Sequence, residues 1–303
     1  MARVSAIVIA LTCACSLSAQ EKPASQDQHP RYVWYAVDQV SNGKFGVYSK
    51  VVAQYREAAA SAAPDVHWIA GSAITGHSGR VTIVTFHDSM ASVEKMMTAF
   101  DKMDNAINMK NASFPAQEAE STTSSHYVLA EYKKELSYRP DMVPMANTTW
   151  WSAELISLKP GCQYEFQDAV KQAADLHSKA GDSDHWIGYR VLAGDSLPAV
   201  IFVSPMRSLA DEDEEPSAAA QEVLQSPLAR QMFSRIGKEC ITHIESDYSR
   251  VEPSLSRPPD ALVAANPDFW TVKDEAMSAS APAPKKGKKA MLQPTSMKEG
   301  MKK

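Results

Sequence analysis

Apolar and polar positions alternate over residues 34–40, in a stretch rich in aromatic and branched side chains, and this period of two predicts a strand. After Gly43 the period lengthens. Phe45, Tyr48, Val52, Tyr55, Ala59 and Ala62 fall three or four apart, on one face of an amphipathic helix. Residues 67–75 and 81–86 read as two further strands joined by Gly76-His77-Ser78-Gly79, whose glycines accept the positive φ of a hairpin turn. A second helix turns Val93, Met96, Met97, Phe100, Met103 and Ile107 inward, and a strand over 127–136 closes the series.

The series then recurs. Gly43 and Gly161 lie 118 positions apart, and the same offset places His67-Trp68-Ile69 on His185-Trp186-Ile187, Gly76 on Gly194 and Ile83 on Ile201. Upstream, an offset of 116 puts Trp34 on Trp150 and Asp38 on Glu154, leaving two extra residues near Lys159-Pro160. Arg139-Pro140 and Arg257-Pro258 return to 118. The second copy repeats the first helix (Phe166, Val170, Ala173, Ala180), the strands (185–193, 199–203 and 241–251) and the second helix (Val223, Leu224, Leu228, Met232, Ile236), which Pro227 should kink or split. The order is β-α-β-β-α-β twice, which predicts an α+β fold of two tandem ferredoxin-like units. The expected boundaries are 32–141 for repeat 1, a Pro-bearing linker over 142–147, repeat 2 over 148–260 and a C-terminal extension over 261–276.

Such a sheet packs both helices on one face. Tyr35 and Val37, with Trp151, Ala153 and Leu155 in copy two, form the more apolar set and are assigned to the helix side; Ile69, Ala73, Ile187 and Val191 follow. Trp34, Ala36 and Asp38, or Trp150, Ser152 and Glu154, then share the opposite face with Trp68, Trp186, Ser72 and Arg190. Two tryptophans per copy on a bare sheet make a large apolar patch, which the other copy's sheet would cover. The candidate lining of the interior is thus Trp34, Trp68, Trp150 and Trp186, with Asp38, Glu154 and Arg190 as its polar groups.

Two βαββαβ units facing each other through their sheets resemble the dimeric α+β barrel superfamily, which includes antibiotic-biosynthesis-monooxygenase-like and NIPSNAP-like proteins, here as a tandem pseudo-dimer. The resemblance spans roughly residues 32–258 and rests on topology and aromatic placement. It implies a cavity between sheet and helices and, in some members, haem held by a helix histidine. Neither second helix carries a histidine, and the helical His177 matches Ala59 in copy one, so no catalytic residue is carried over and no cofactor is specified.

Composition narrows the class. The 303 residues suit two ordinary domains, and the net charge of -5 does not favour nucleic acid as a partner. Arg3, an apolar run over 4–11 and small residues before Gln20 form a secretory signal over 1–19, followed by a polar leader over 20–31. The apolar run is too short for a membrane anchor, so the mature chain is expected in the periplasm or outside the cell. Cys13 and Cys15 fit the lipoprotein pattern poorly, and 277–303 reads as a basic disordered tail. Cys162 and Cys240 then remain. In the split topology the end of strand one lies beside the start of strand four, so these two are expected to form a disulfide.

The chemistry-bearing residues have bland readings beside the functional ones. His67 and His185 lack a second ligand at metal spacing and serve better as strand-end hydrogen bonders; no metal site is expected. Asp38 and Glu154 read as a facing acid pair, as solvated groups, or with Glu154 neutralised by Arg190. The methionines of the second helix are core, and Asp211-Glu212-Asp213-Glu214-Glu215 is a solvated helix start. Phosphate loops, nucleophile elbows, C-x-x-C pairs and H-E-x-x-H helices are absent from the sequence. Three classes remain: a binding protein for a small flat or apolar ligand between the sheets, an oxidoreductase or monooxygenase using that cavity, and a scaffold or interaction module.

Overall fold

The computed structural model describes residues 29–214 and 217–272. The signal over 1–19, the leader to residue 28, Glu215 of the acidic run, the end of the C-terminal extension and the basic tail lie outside the described residues.

Eight strands form: β1 (Tyr32–Val40), β2 (Ile69–Ala73), β3 (Arg80–His87), β4 (Thr122–Tyr132), β5 (Trp150–Leu158), β6 (Ile187–Ala193), β7 (Ala199–Met206) and β8 (Ile241–Val251). They close one antiparallel barrel in the order β1-β3-β2-β8-β5-β7-β6-β4. Within each half the order is last-first-third-second, which leaves the second and last strands as edges. An open edge carries unpaired N–H and C=O groups. Here β2 pairs with β8 and β4 with β6, so the barrel has none.

The helices lie outside the barrel. In the first half α1 (Phe45–Ala62) and α2 (Met90–Lys110) pack over the sheet, with a short α3 (Phe114–Ser121) that the sequence pattern did not single out. Ser89 starts α2 by a reciprocal capping box with Ser92, which satisfies two otherwise unpaired donors of the first turn. Beneath them Val51, Ala58, Ala59, Trp68, Met103, Ile107 and Phe114 form one buried cluster, each large side chain contributing roughly 1.5–3 kcal/mol on burial. In the second half α4 (Gln163–Ala180) ends at Gly181, whose φ of 66° makes the left-handed cap. Pro227 splits the next helix as expected, into α5 (Ala218–Leu224) and α6 (Pro227–Glu239), because proline fits only the first turn. Two short helices, α7 (Asp260–Ala265) and α8 (Pro267–Trp270), follow the barrel. Trp270 Nε1 and Asn266 Nδ2 both donate to the Ala146 carbonyl, which ties them to the segment between the halves. Among the described residues no helix is long and apolar enough to cross a membrane.

The offsets between the halves correct the alignment in two places. The bounds of β1 and α1 recur in β5 and α4 at 118 throughout, so Trp34 matches Ser152 and Asp38 matches Ile156. The offset of 116 does not hold, so neither Trp34 and Trp150 nor Asp38 and Glu154 are one repeated position. Beyond the hairpin, β3 and β4 recur in β7 and β8 at 119, because the turn of the second half, with Leu197 and the cis-bonded Pro198, is one residue longer. Ile83 therefore corresponds to Phe202, not to Ile201.

Candidate functional site

Strand alternation sends Tyr35, Val84, Val128, Ile187, Tyr189 and Ile201 to the inside of the barrel, where they form one buried cluster. They do not fill it. A cavity of about 560 Å³ remains, walled also by Phe86, Trp151, Ala153, Leu155 and Val203. The Trp151 ring lies against Gly71, where a Cβ would fall 2.3 Å from it, so the bare glycine on β2 is what admits the indole. Tyr35 and Tyr189 meet edge to face at 6.3 Å. Burial, with a smaller contribution from each other or from Tyr132, raises both phenols far above their ordinary value and keeps them neutral.

The charged groups that line the lumen itself gather at one mouth. Arg80 at the start of β3 is clamped between Glu245 (2.5 Å) and Asp247 (3.1 Å) of β8, and His77 lies 3.8 Å from Glu245. Across the mouth His126 of β4 meets Asp195 of the β6–β7 turn at 3.3 Å. Asp38 borders the same opening but accepts from Tyr48 Oη (2.8 Å) and Ser125 Oγ (2.6 Å), and burial together with Asp38 raises the Tyr48 phenol. An apolar chamber with a few polar groups at one end holds a small molecule by its flat body and orients it by a substituent.

The face assignment from sequence is inverted. The set given to the helices, Tyr35, Val37, Trp151, Ala153, Leu155 and Ile187 among them, faces the lumen, and the tryptophans assigned to the lumen lie outside it. On β1, β3, β5 and β7 apolar residues face both the lumen and the helices, so relative apolarity does not tell the faces apart. Trp34 packs under α2 beside Val93, Met96 and Leu129. Trp68 is buried under α1 and α2, its Nε1 donating to Leu255 O. Trp186 donates to Leu136 O and lies against Tyr138 and His177. Trp150 is half-buried at the start of β5, on the outer face opposite Met206 and Arg250.

Glu154 is exposed on that face, and Arg190 does not neutralise it. Arg190 instead reaches Glu131 at 2.6 Å, beside Lys133 at 2.8 Å and Arg31 at 3.3 Å, on the outside of the β4–β6 seam. Burial alone would raise Glu131, but the two nearer cations outweigh it and hold the carboxyl below its ordinary value. Asp38 alone of the seven candidates borders the lumen. Cys162 and Cys240 form the expected disulfide, with Cα atoms 5.5 Å apart, because Leu158 and Ile241 are paired in register just beside them.

Two further clusters lie outside the lumen. Between the helices and sheet of the first half a cleft of about 390 Å³ is lined by Trp34, Trp68, Tyr55, Phe100, Asp104 and Glu118. Tyr55 Oη donates to Glu118 at 2.9 Å, and burial foremost raises the Glu118 carboxyl. At the end of α4, His177 Nδ1 stands 2.7 Å from Asp182 and 3.0 Å from Asp184. Burial would lower this imidazole, yet the two carboxylates prevail and raise it. His185 bonds the Pro205 carbonyl through Nε2 at 2.7 Å, the strand-end role expected of it. The sequence reading passed over the lumen residues Arg80, His126, Asp195, Tyr189, Glu245 and Asp247. Their signal was present in β8, where Glu245, Asp247, Ser249 and Val251 grade from charged to apolar along one face.

No family model and no curated protein matches the chain. Solved structures do. An anthrone oxidase-like protein superposes over 74% of this chain and 92% of its own, with a TM-score of 0.50 at 15% identity. A protein from Lactobacillus acidophilus described as a monooxygenase covers 74% and 94% (TM-score 0.44, 9% identity), and a chlorite dismutase variant from Candidatus Nitrospira defluvii covers 77% and 94% (0.45, 10%). At 15% identity the likeness to the first of these is one of fold alone, an α+β protein with an antiparallel barrel.

Proposed function

We propose that this protein binds a small, flat, mostly apolar ligand in the barrel lumen, with a polar substituent at the Arg80 mouth. The lumen carries the reading: about 560 Å³ walled by Tyr35, Val84, Phe86, Trp151 and Tyr189, with charge only at the opening. Native interiors leave few voids larger than a water molecule, so space on this scale is ligand-sized. The barrel is read as a tandem duplication of one ferredoxin-like unit, its halves taking the parts of two chains in a dimeric α+β barrel; the recurring offsets of 118 and 119 support this. The chain is read as exported behind the signal over 1–19, and the Cys162–Cys240 bridge supports an oxidising compartment.

A second reading, turnover of a ligand in the same lumen, draws on His126 and Asp195, which put an imidazole and a carboxylate together at the mouth. The fold likeness to an anthrone oxidase-like protein is in keeping with it.

Titration of the mature chain with naphthalene, riboflavin and haem, followed by tryptophan fluorescence, tests the binding reading. At least one should give a saturable change reported by Trp151, and Ala153→Trp, which fills the lumen, should abolish it with the circular dichroism unchanged. No saturable change with any of the three, and no rise in Tm, would mean that the lumen is not a binding site.

A further inference from the structure

We propose that the ligand is two-ended, with a carboxylate on an elongated apolar body seated in a second cavity at the opposite end of the barrel. This rests on the lumen reading and adds the head-group chemistry. The second cavity, of about 930 Å³, opens where β1 begins, beneath α2 and beside the segment joining the halves. It shares Ile69, Phe86, Met145, Ile187, Tyr189 and Pro205 with the lumen, so the two voids meet across one ring of side chains. Only this apolar layer of side chains separates a ligand in the lumen from this end.

The polar groups of the two ends differ in what they accept. At the Arg80 mouth the only guanidinium is held by Glu245 and Asp247, and Asp38 and Asp195 stand near; an anion there meets four carboxylates. At the other end Lys95 and Lys102, two turns apart on α2, border the cavity, are exposed and make no ion pair among the described residues. In the wall below them His67 Nδ1 is shut off from solvent and has no hydrogen-bond partner among the described residues. A buried ring nitrogen without a partner is costly in either tautomer unless a ligand or water supplies one. The neighbouring His87 is already engaged with Thr85 Oγ1 at 2.9 Å, and of the acids on the rim Asp141 faces His29 at 3.1 Å while Asp65 is exposed. Two free ammonium groups over an apolar floor, joined by His67 when its Nδ1 carries the proton, are the recognition set for a carboxylate.

Calorimetric titration of the mature protein with dodecanoate, dodecanol and naphthalene tests the assignment. Dodecanoate should bind at least ~5-fold more tightly than dodecanol, the preference that two partly exposed cations and one buried imidazole supply. Lys95→Gln/Lys102→Gln, a change of exposed side chains that leaves the core intact, should bring the two within about 2-fold by weakening dodecanoate alone. His67→Phe should also reduce the preference without weakening dodecanol. Equal affinities in the wild-type protein, or a preference that survives the double lysine change, overturns the carboxylate assignment. Binding of naphthalene without binding of either twelve-carbon chain overturns it while leaving the lumen reading in place; binding of none of the three removes both.

Discussion

The two halves of the barrel share one backbone plan and use the space between helices and sheet in opposite ways. In the second half Phe166, Phe202, Met232 and Ile236 fill that space, and the Cys162–Cys240 bridge pins the end of β5 to the start of β8. In the first half the matching layer keeps the 390 Å³ cleft, although it is built from larger residues: Trp34 stands where the second half has Ser152, and Tyr55 where it has Ala173. Bulk therefore does not decide which half is solid. What decides is where the bulk sits, since Phe202 takes the place of Ile83 and meets Phe166 at 6.2 Å, directly between sheet and α4. The half that is covalently closed is packed, and the half without a bridge keeps its hollow.

The largest test of this contrast removes the bridge. Cys162→Ser/Cys240→Ser opens a loop with a sequence separation of 78 and should cost about 4 kcal/mol in the chain-entropy model, read from urea unfolding. An equal loss on adding a reductant to the wild-type protein, with none in the double variant, would tie the effect to the bridge.

The hairpin glycines come next. Gly76 and Gly194 match at the 118 offset and both have positive φ, but a Cβ on Gly76 meets nothing nearer than 3.7 Å, whereas one on Gly194 falls 1.9 Å from the Tyr127 carbonyl oxygen. Gly76→Ala should cost only the left-handed strain, about 1 kcal/mol. Gly194→Ala must in addition push β4 away at the seam and should cost roughly 3 kcal/mol. Similar midpoints for the two variants would show that this turn does not press on β4.

Two smaller effects separate the halves by pH. In the first half Glu118 is raised above 4.5 by burial, so the folded state holds that proton more tightly than the unfolded chain. Its favourable contribution is complete below the unfolded value and is lost as pH rises through the folded one. Glu118→Gln keeps the Tyr55 contact and should stabilise the protein at pH 7 by well under 1 kcal/mol, the cleft being half open to solvent, with no gain below pH 4. In the second half His177 is raised above 6.5, so its pairing with Asp182 and Asp184 contributes below that value and fades as pH rises through the folded one. His177→Gln should cost a few tenths of a kcal/mol more at pH 5.5 than at pH 9, where only its packing and neutral hydrogen bond are lost. Stability curves over pH 4–9 for both variants resolve the two directions.

The sequence was most informative where one face of an element meets water. The helix periods of α1 and α2, the split at Pro227 and the pairing of Cys162 with Cys240 were all legible, because solvent on one side or a stiff ring leaves a one-sided pattern. Strands β1, β3, β5 and β7 carry apolar residues on both faces, one toward the lumen and one under the helices. Tyr35 and Trp34 are equally fit for either face, and the larger ring went under α2 while the smaller one faced the lumen. Matching tryptophans to tryptophans also misled, since Trp34 and Trp150 point the same way but lie two positions apart in the repeat. The seam partners Glu131 and Arg190 were beyond reach for a different reason: they meet only because the barrel closes.

The two seams are short. The β4–β6 ladder pairs four residues and the β2–β8 ladder three, against nine where β1 lies beside β4. Two separate chains would form the lumen only on association, so its population would depend on protein concentration. A peptide segment between the halves turns that encounter into an intramolecular one, at an effective concentration in the millimolar range for a short connection. The chamber then persists down to a single molecule.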